Sequence, residues 1–184
     1  MKMDMLVLIL FIFIILFCII SLFYMLIYNK LNDLIIRINE VESNIDTNLR
    51  DKYDLLNRSI SIIRNNYEEK NDIFDDVVKL RSRKISNFEL ERKLNDAYNE
   101  FLSFKEKNSD LKNNEEIIKT TINLEEIDEK LPILIEYYNN NITKYNKMIT
   151  MFPTNVVAKI NKFNTKLFFD RKDMNDNDYK DFKL

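Results

Sequence analysis

The chain has no histidine and no glycine, only two prolines, and a single cysteine in 184 residues. Each shortage removes a class of chemistry. Without histidine there is no side chain whose ordinary pKa lies near neutrality, which excludes His-dependent triads and the commonest zinc ligand. Without glycine, neither the Walker phosphate loop nor the dinucleotide fingerprint can form, because both need backbone positions that glycine alone occupies easily. The lone Cys18 can neither close an intrachain disulfide nor build a zinc thiolate site. A dominant charge sign is also missing. With 28 Lys and Arg against 30 Asp and Glu, there is no strong field to recruit nucleic acid. No cofactor, metal or nucleic-acid partner is expected, and the inventory points away from an enzyme.

What the chain does have is an uncharged run from Met5 to Ile27, MLVLILFIFIILFCIISLFYMLI. As a helix it is roughly 34 Å long, enough to cross a hydrocarbon core of about 30 Å. A cleaved secretory signal would have a shorter apolar region and small residues at its end. This run instead exits through Tyr24 and Tyr28, aromatics suited to a membrane–water interface. Residues 1–4 are thus expected to form a short tail and residues 5–27 a retained span whose partner is the lipid bilayer.

Beyond it, apolar residues recur at three- and four-residue steps: Leu31, Leu34, Ile38, Val41, Ile45, Leu49, Tyr53, Leu56, Ile60, Ile63 and Tyr67. That spacing predicts an amphipathic helix burying one face. Ser43-Asn44-Ile45-Asp46 has the form of an N-cap and could break the helix there. Ser86-Asn87-Phe88-Glu89 reads as a capping box that opens a helix to about Lys107. Asn108 to Asn114 reads as a loop. Glu115-Glu116 then begins a helix reaching Thr150, bent at Pro132. No segment alternates like a strand. The expected class is all-α: an N-terminal transmembrane helix followed by an antiparallel bundle of three to four long helices over residues 28–169. Residues 170–184 carry too little apolar surface to offset their ordering entropy and are expected to be a mobile polar tail.

The acidic doublets Glu68-Glu69, Asp75-Asp76, Glu115-Glu116 and Glu125-Glu126 do not make a metal site by themselves. Adjacent helical residues point about 100° apart, and carboxylate-bridged metal bundles also need Glu-x-x-His motifs. They read as solvated faces, and Arg81, Arg83 and Lys84 as a soluble corner.

Several spacings carry a resemblance. Tyr28-Asn29 closely follows the span. Ile45, Asp46, Leu49, Tyr53, Asp54 and Leu55 fit Ile-Asp-x-x-Leu-x-x-x-Tyr-Asp-Leu in register. Tyr138-Asn139 and Tyr145-Asn146 lie a heptad apart, ahead of Phe152-Pro153-Thr154-Asn155. The chain resembles the LemA family of bacterial membrane-anchored helical proteins, in which these motifs follow in the same order. It departs from the family at Asn57-Arg58-Ser59, where Pro-Asn-Leu is usual, and at Leu134-Ile135, where Ala-Arg is usual. Lys162 stands where a glycine customarily precedes the final aromatic, here Phe163. The resemblance implies a fold and a location but little chemistry.

Read physically, Tyr138 and Tyr145 share one helix face, each ring packed inward with its hydroxyl at the edge, beside Asn139 and Asn146. Pro153 biases Phe152 out of the helical region, so it should end one helix and start a short one. That corner should turn Val156, Val157, Ile160 and Phe163 against the bundle or toward the membrane. All these motif residues are expected to be core and corner or, failing that, interaction sites.

Two functions compete. The first is a non-enzymatic, single-pass scaffold that binds membrane or envelope proteins, or assembles with copies of itself. The second is a receptor that relays motion along a helical rod. The positive-inside rule weighs Lys2 before the span against Lys30 and Arg37 after it. It favours an external N-terminus and a cytoplasmic C-terminal domain at a bacterial plasma membrane.

Overall fold

The computed structural model describes residues 2–67, 77 and 86–169, with side chains over 5–65, at 77 and over 86–169. The Glu68-Glu69 and Asp75-Asp76 doublets, the Arg81–Lys84 cluster and the tail from 170 lie outside the described residues. The protein is all-α, with no strand among the described residues. Among the described residues there are three long helices, α1 (Lys2–Tyr67), α2 (Asn87–Lys107) and α4 (Glu115–Thr150), and two short ones, α3 (Ser109–Lys112) between α2 and α4 and α5 (Thr154–Ile160) after α4.

Helix α1 runs unbroken through Ser43–Asp46, contrary to the break those residues suggested. Val41 and Ile45 are both buried, so the apolar stripe demands a continuous helix there. The local polar groups serve that helix: the Thr47 hydroxyl donates to the Ser43 carbonyl at 2.9 Å and the Asn48 amide to the Asn44 carbonyl at 2.7 Å. The segment read as a loop after Lys107 contains the single turn α3, because Leu111 is buried and draws the chain inward. Both expected helix starts carry side-chain caps. Ser86 Oγ accepts from the Glu89 amide at 3.2 Å, and Asn114 Oδ1 accepts from the amides of Glu116 and Ile117 at 3.0 and 3.1 Å. Pro132 lies inside α4, which stays helical on both sides of it.

The chain divides into two compact units. One comprises Met1–Glu40 with Asn139–Leu167, the other Val41–Tyr138 with Phe168–Leu184. In the second unit the stripe from Val41 to Ile63 joins Leu94, Phe101, Leu124, Leu131 and their neighbours in one core. Burying each such side chain stabilises the fold by about 1.5–3 kcal/mol before conformational entropy is subtracted. The Lys105 ammonium donates to Thr121 at 3.1 Å, while Asn95 and Asp128 meet at Lys52, so α2 and α4 run antiparallel. In the first unit Leu31, Leu34, Ile38, Ile142, Tyr145, Val157 and Ala158 are buried. Residues 5–23 of α1 are exposed throughout, and this is the one candidate membrane span among the described residues.

Candidate functional site

In the second unit, the family-like motif on α1 separates into core and surface. Ile45 and Leu49 are buried, Tyr53 packs partly buried against the core, and Asp46 pairs with Arg50 at 2.9 Å on the helix surface. The stripe crosses the interval between Leu49 and Leu56 through Lys52, which is completely buried. Its ammonium donates to Asn95 Oδ1 and Asp128 Oδ1, each at 2.6 Å, and lies 5.1 Å from the centroid of the Tyr98 ring. Asn95 in turn donates to Glu91 Oε1 at 2.7 Å. A buried ammonium survives only where acceptors and a ring face replace its water, and α2 and α4 supply them here. Burial pushes the Tyr98 hydroxyl above its ordinary pKa, and the carboxylates of Glu125 and Asp128 add to the shift.

Asp54 and Leu55 do something different. With Asn48 and Asp51 they line a groove of about 390 Å³, closed on the α4 side by Asn123, Glu126, Ile127 and Lys130. Asp51, Asp54, Glu126 and Lys130 are all exposed, so the groove offers a rim of three carboxylates and one ammonium, acidic on balance, around two apolar side chains. Among the described residues no group of three or more metal-ligating side chains converges.

Tyr138 also belongs to this unit, where its ring meets Phe169 edge-on at 6.5 Å. Burial raises its pKa, helped by the charge of Glu42.

The first unit holds the remaining motif residues. Tyr145 is buried, and burial raises its pKa. Asn146 clamps the backbone of Lys166: its Nδ2 donates to the Lys166 carbonyl at 2.8 Å and its Oδ1 accepts from the Lys166 amide at 2.9 Å. Tyr28 stacks on Tyr24 at 6.3 Å and lies 6.1 Å from the Phe163 ring; Asn29 is exposed. Asn139 has partners of its own within the fold.

The corner forms as the sequence implies, with differences in detail. Helix α4 ends at Thr150, the Phe152–Pro153 peptide is cis, and Pro153 occupies the N-cap of α5 rather than its first turn. The Thr154 hydroxyl closes the corner by donating to the carbonyls of Met148 and Met151, at 2.5 and 2.8 Å, near the end of α4 where backbone acceptors run out of helical partners. Phe152 is 81% exposed and so is not a core residue. Of the following apolar residues, Val157 is buried and Phe163 half-buried, whereas Val156 and Ile160 point outward. Asn155 Oδ1 is a buried side-chain oxygen without a hydrogen-bond partner among the described residues.

Helix α5 finishes in a Schellman turn. The Phe163 amide donates to Ala158 at 3.0 Å and the Lys162 amide to Lys159 at 3.2 Å. Lys162 takes a φ of 57°, the left-handed conformation that glycine adopts most easily. The position where the family customarily has glycine is therefore a true left-handed site that this chain fills with lysine.

A second groove, of about 510 Å³, lies in this unit beside the corner. Lys30, Arg37, Lys144 and Lys147 surround it with one carboxylate, Asp33, and its apolar floor includes Leu34, Met148 and Met151. Sequence reading missed both Lys52 and this cluster. For Lys52 the available signal was its place in the three- and four-residue stripe.

Each groove sets charged side chains around apolar ones. No curated protein matches the chain. The LemA family model matches residues 41–180, most of the chain. With that match, the anchor-like first helix and the helical bundle, the chain belongs to the LemA family.

Proposed function

We propose that this is a non-enzymatic, single-pass membrane protein, anchored through residues 5–27, whose helical bundle binds or scaffolds other membrane or envelope proteins or assembles with copies of itself. The observation that carries the reading is the placement of Asp54 and Leu55. They belong to the motif shared with the family, and both line an open groove: Asp54 is exposed there, and Leu55, which packs against the core on one side, also faces the groove. An acidic rim over apolar ground suits a partner segment bearing Lys or Arg beside an apolar anchor.

The test is site-specific photocrosslinking in membranes. A photoreactive residue replacing Asp54 in the full-length chain should give a discrete adduct, with a membrane protein or a second copy. The same residue replacing exposed Glu106 should give none. Reversing the charge of Asp51 on α1 together with that of Glu126 on α4 should abolish the adduct. Equal labelling from both positions, or none, would count against the groove.

A second reading, signal relay, is favoured by one feature: α1 continues without a break from the apolar segment into the stripe. A crosslinked soluble kinase or response partner, in place of a resident membrane protein, would favour relay. The charge rule further supports a cytoplasmic bundle with an external N-terminus at a bacterial plasma membrane. Protease added to intact cells should then leave the bundle uncut, and rapid digestion would reverse the orientation.

A further inference from the structure

The first unit ties its corner to the end of the apolar segment. Tyr24 donates from its hydroxyl to Asn161 Oδ1 at 3.1 Å, and Asn161 Nδ2 approaches the same hydroxyl at 2.9 Å. The Phe163 ring meets Tyr28. Helix α5 therefore ends level with residues 24–28, where the apolar run gives way to polar sequence. The corner, whose Met151 and Phe152 line the groove with Lys30 to Arg37, and α5 together expose Met151 (51%), Phe152 (81%), Val156 (48%) and Ile160 (64%), while Val157 and Ala158 pack inward. In water such a cluster is unfavourable. At a bilayer surface it continues the lipid-facing surface of α1.

Lys30 sits where headgroups would be. Lys30 follows the run by three residues, roughly 4.5 Å along the helix, and the headgroup layer on each side of the core is about 5–8 Å deep. Around the groove four cationic side chains oppose the single carboxylate of Asp33, which pairs with Arg37 at 3.1 Å. Lys30, Lys144 and Lys147 are exposed, and none makes an ion pair among the described residues. Their long stems can lie along Met148 and Met151 while the ammonium groups reach a phosphate.

We propose that this groove binds the headgroup of an anionic phospholipid from the bilayer that holds the anchor, with Met151, Phe152, Val156 and Ile160 inserted into the interface beside it. The inference rests on the reading that residues 5–27 span a membrane.

The chain has no tryptophan, so Phe152→Trp supplies a single reporter at the most exposed corner residue. The full-length variant is reconstituted into phosphatidylcholine vesicles containing a minor fraction of phosphatidylglycerol, with one or the other lipid brominated near its headgroup. The tryptophan should be quenched by both lipids. With the brominated species held at the same mole fraction in both cases, brominated phosphatidylglycerol should report an enrichment of about fivefold, as expected for several basic side chains at an anionic surface. Combining Lys30→Gln, Lys144→Gln and Lys147→Gln should remove the enrichment and leave quenching by phosphatidylcholine intact; all three lysines are exposed, so helical content should not change. Inorganic phosphate should not compete.

Absent quenching, equal quenching by the two lipids, enrichment that survives the three substitutions, or displacement by inorganic phosphate would each overturn the proposal. Carbonate extraction of the same vesicles separates this failure from failure of the anchor. A chain that resists extraction but shows no lipid preference contradicts only the groove, whereas an extracted chain contradicts the span itself.

Discussion

The Lys52 ammonium lies 2.6 Å from the Asp128 carboxylate, although Lys52 is completely buried and Asp128 is 47% exposed. One partner has lost its hydration and the other has kept half. The pair is therefore asymmetric: removing the acid strands a buried cation, while removing the lysine leaves an acid that water can serve.

Asp128→Ala should accordingly destabilise the protein by about 2–4 kcal/mol, whereas Lys52→Met, similar in volume and apolar, should change stability by less than about 1 kcal/mol in either direction. Urea unfolding of the two variants checks this, and equal losses would contradict the asymmetry.

At Lys162 the left-handed backbone costs a residue with a Cβ about 1–2 kcal/mol, part of which glycine offsets through its extra freedom in the unfolded chain. Lys162→Gly should therefore stabilise by about 0.5–1 kcal/mol. A drop in the unfolding midpoint would mean the lysine side chain contributes something the Schellman turn does not need.

Asn146→Ala deletes both bonds to the Lys166 backbone. The expected cost is about 1–3 kcal/mol, concentrated locally. Amide exchange at Lys166 should accelerate more than exchange at Leu94 in the other unit. Uniform acceleration throughout would show that the clamp matters only to global stability.

Much of the fold was legible because helices leave a one-dimensional trace. The steps from Leu31 to Ile63, the serine of the capping box and the end of α4 before Phe152-Pro153 all depend on neighbours within a few residues. Lys52 falls in the same stripe and was still passed over. A charge at a core position reads as surface unless one knows that Asn95 and Asp128, far away in sequence, arrive to receive it. The basic groove was hidden for the same reason, since it joins residues 30–37 to residues 141–154. Phe152 misled in the opposite sense: an aromatic before proline suggests packing, but the turn that Thr154 closes points its ring outward.

Stability should also fall in strong alkali. Tyr98, Tyr138 and Tyr145 hold their protons above the ordinary value of 10.0, chiefly because burial disfavours the phenolate. The folded state thus binds these protons more tightly than the unfolded chain. Their contribution is complete below pH about 10 and is lost as pH rises through the folded-state values. Tyr145→Phe should shrink the loss of stability between mildly and strongly alkaline urea titrations. An unchanged loss would show that other groups govern it.

The anchoring of α1 is most directly tested through the chain's own single cysteine. Cys18 is exposed on the helix surface within the apolar run, where a bilayer would shield it. A membrane-impermeant maleimide is applied to permeabilised membranes carrying the full-length chain, alongside Cys18→Ser combined with Ser43→Cys as an accessible control. Cys18 should stay unlabelled until the membrane is dissolved and the chain denatured, while the control cysteine labels at once. Prompt labelling of Cys18 in intact bilayers would contradict a membrane span at residues 5–27, and with it the account of this protein as a membrane-anchored bundle.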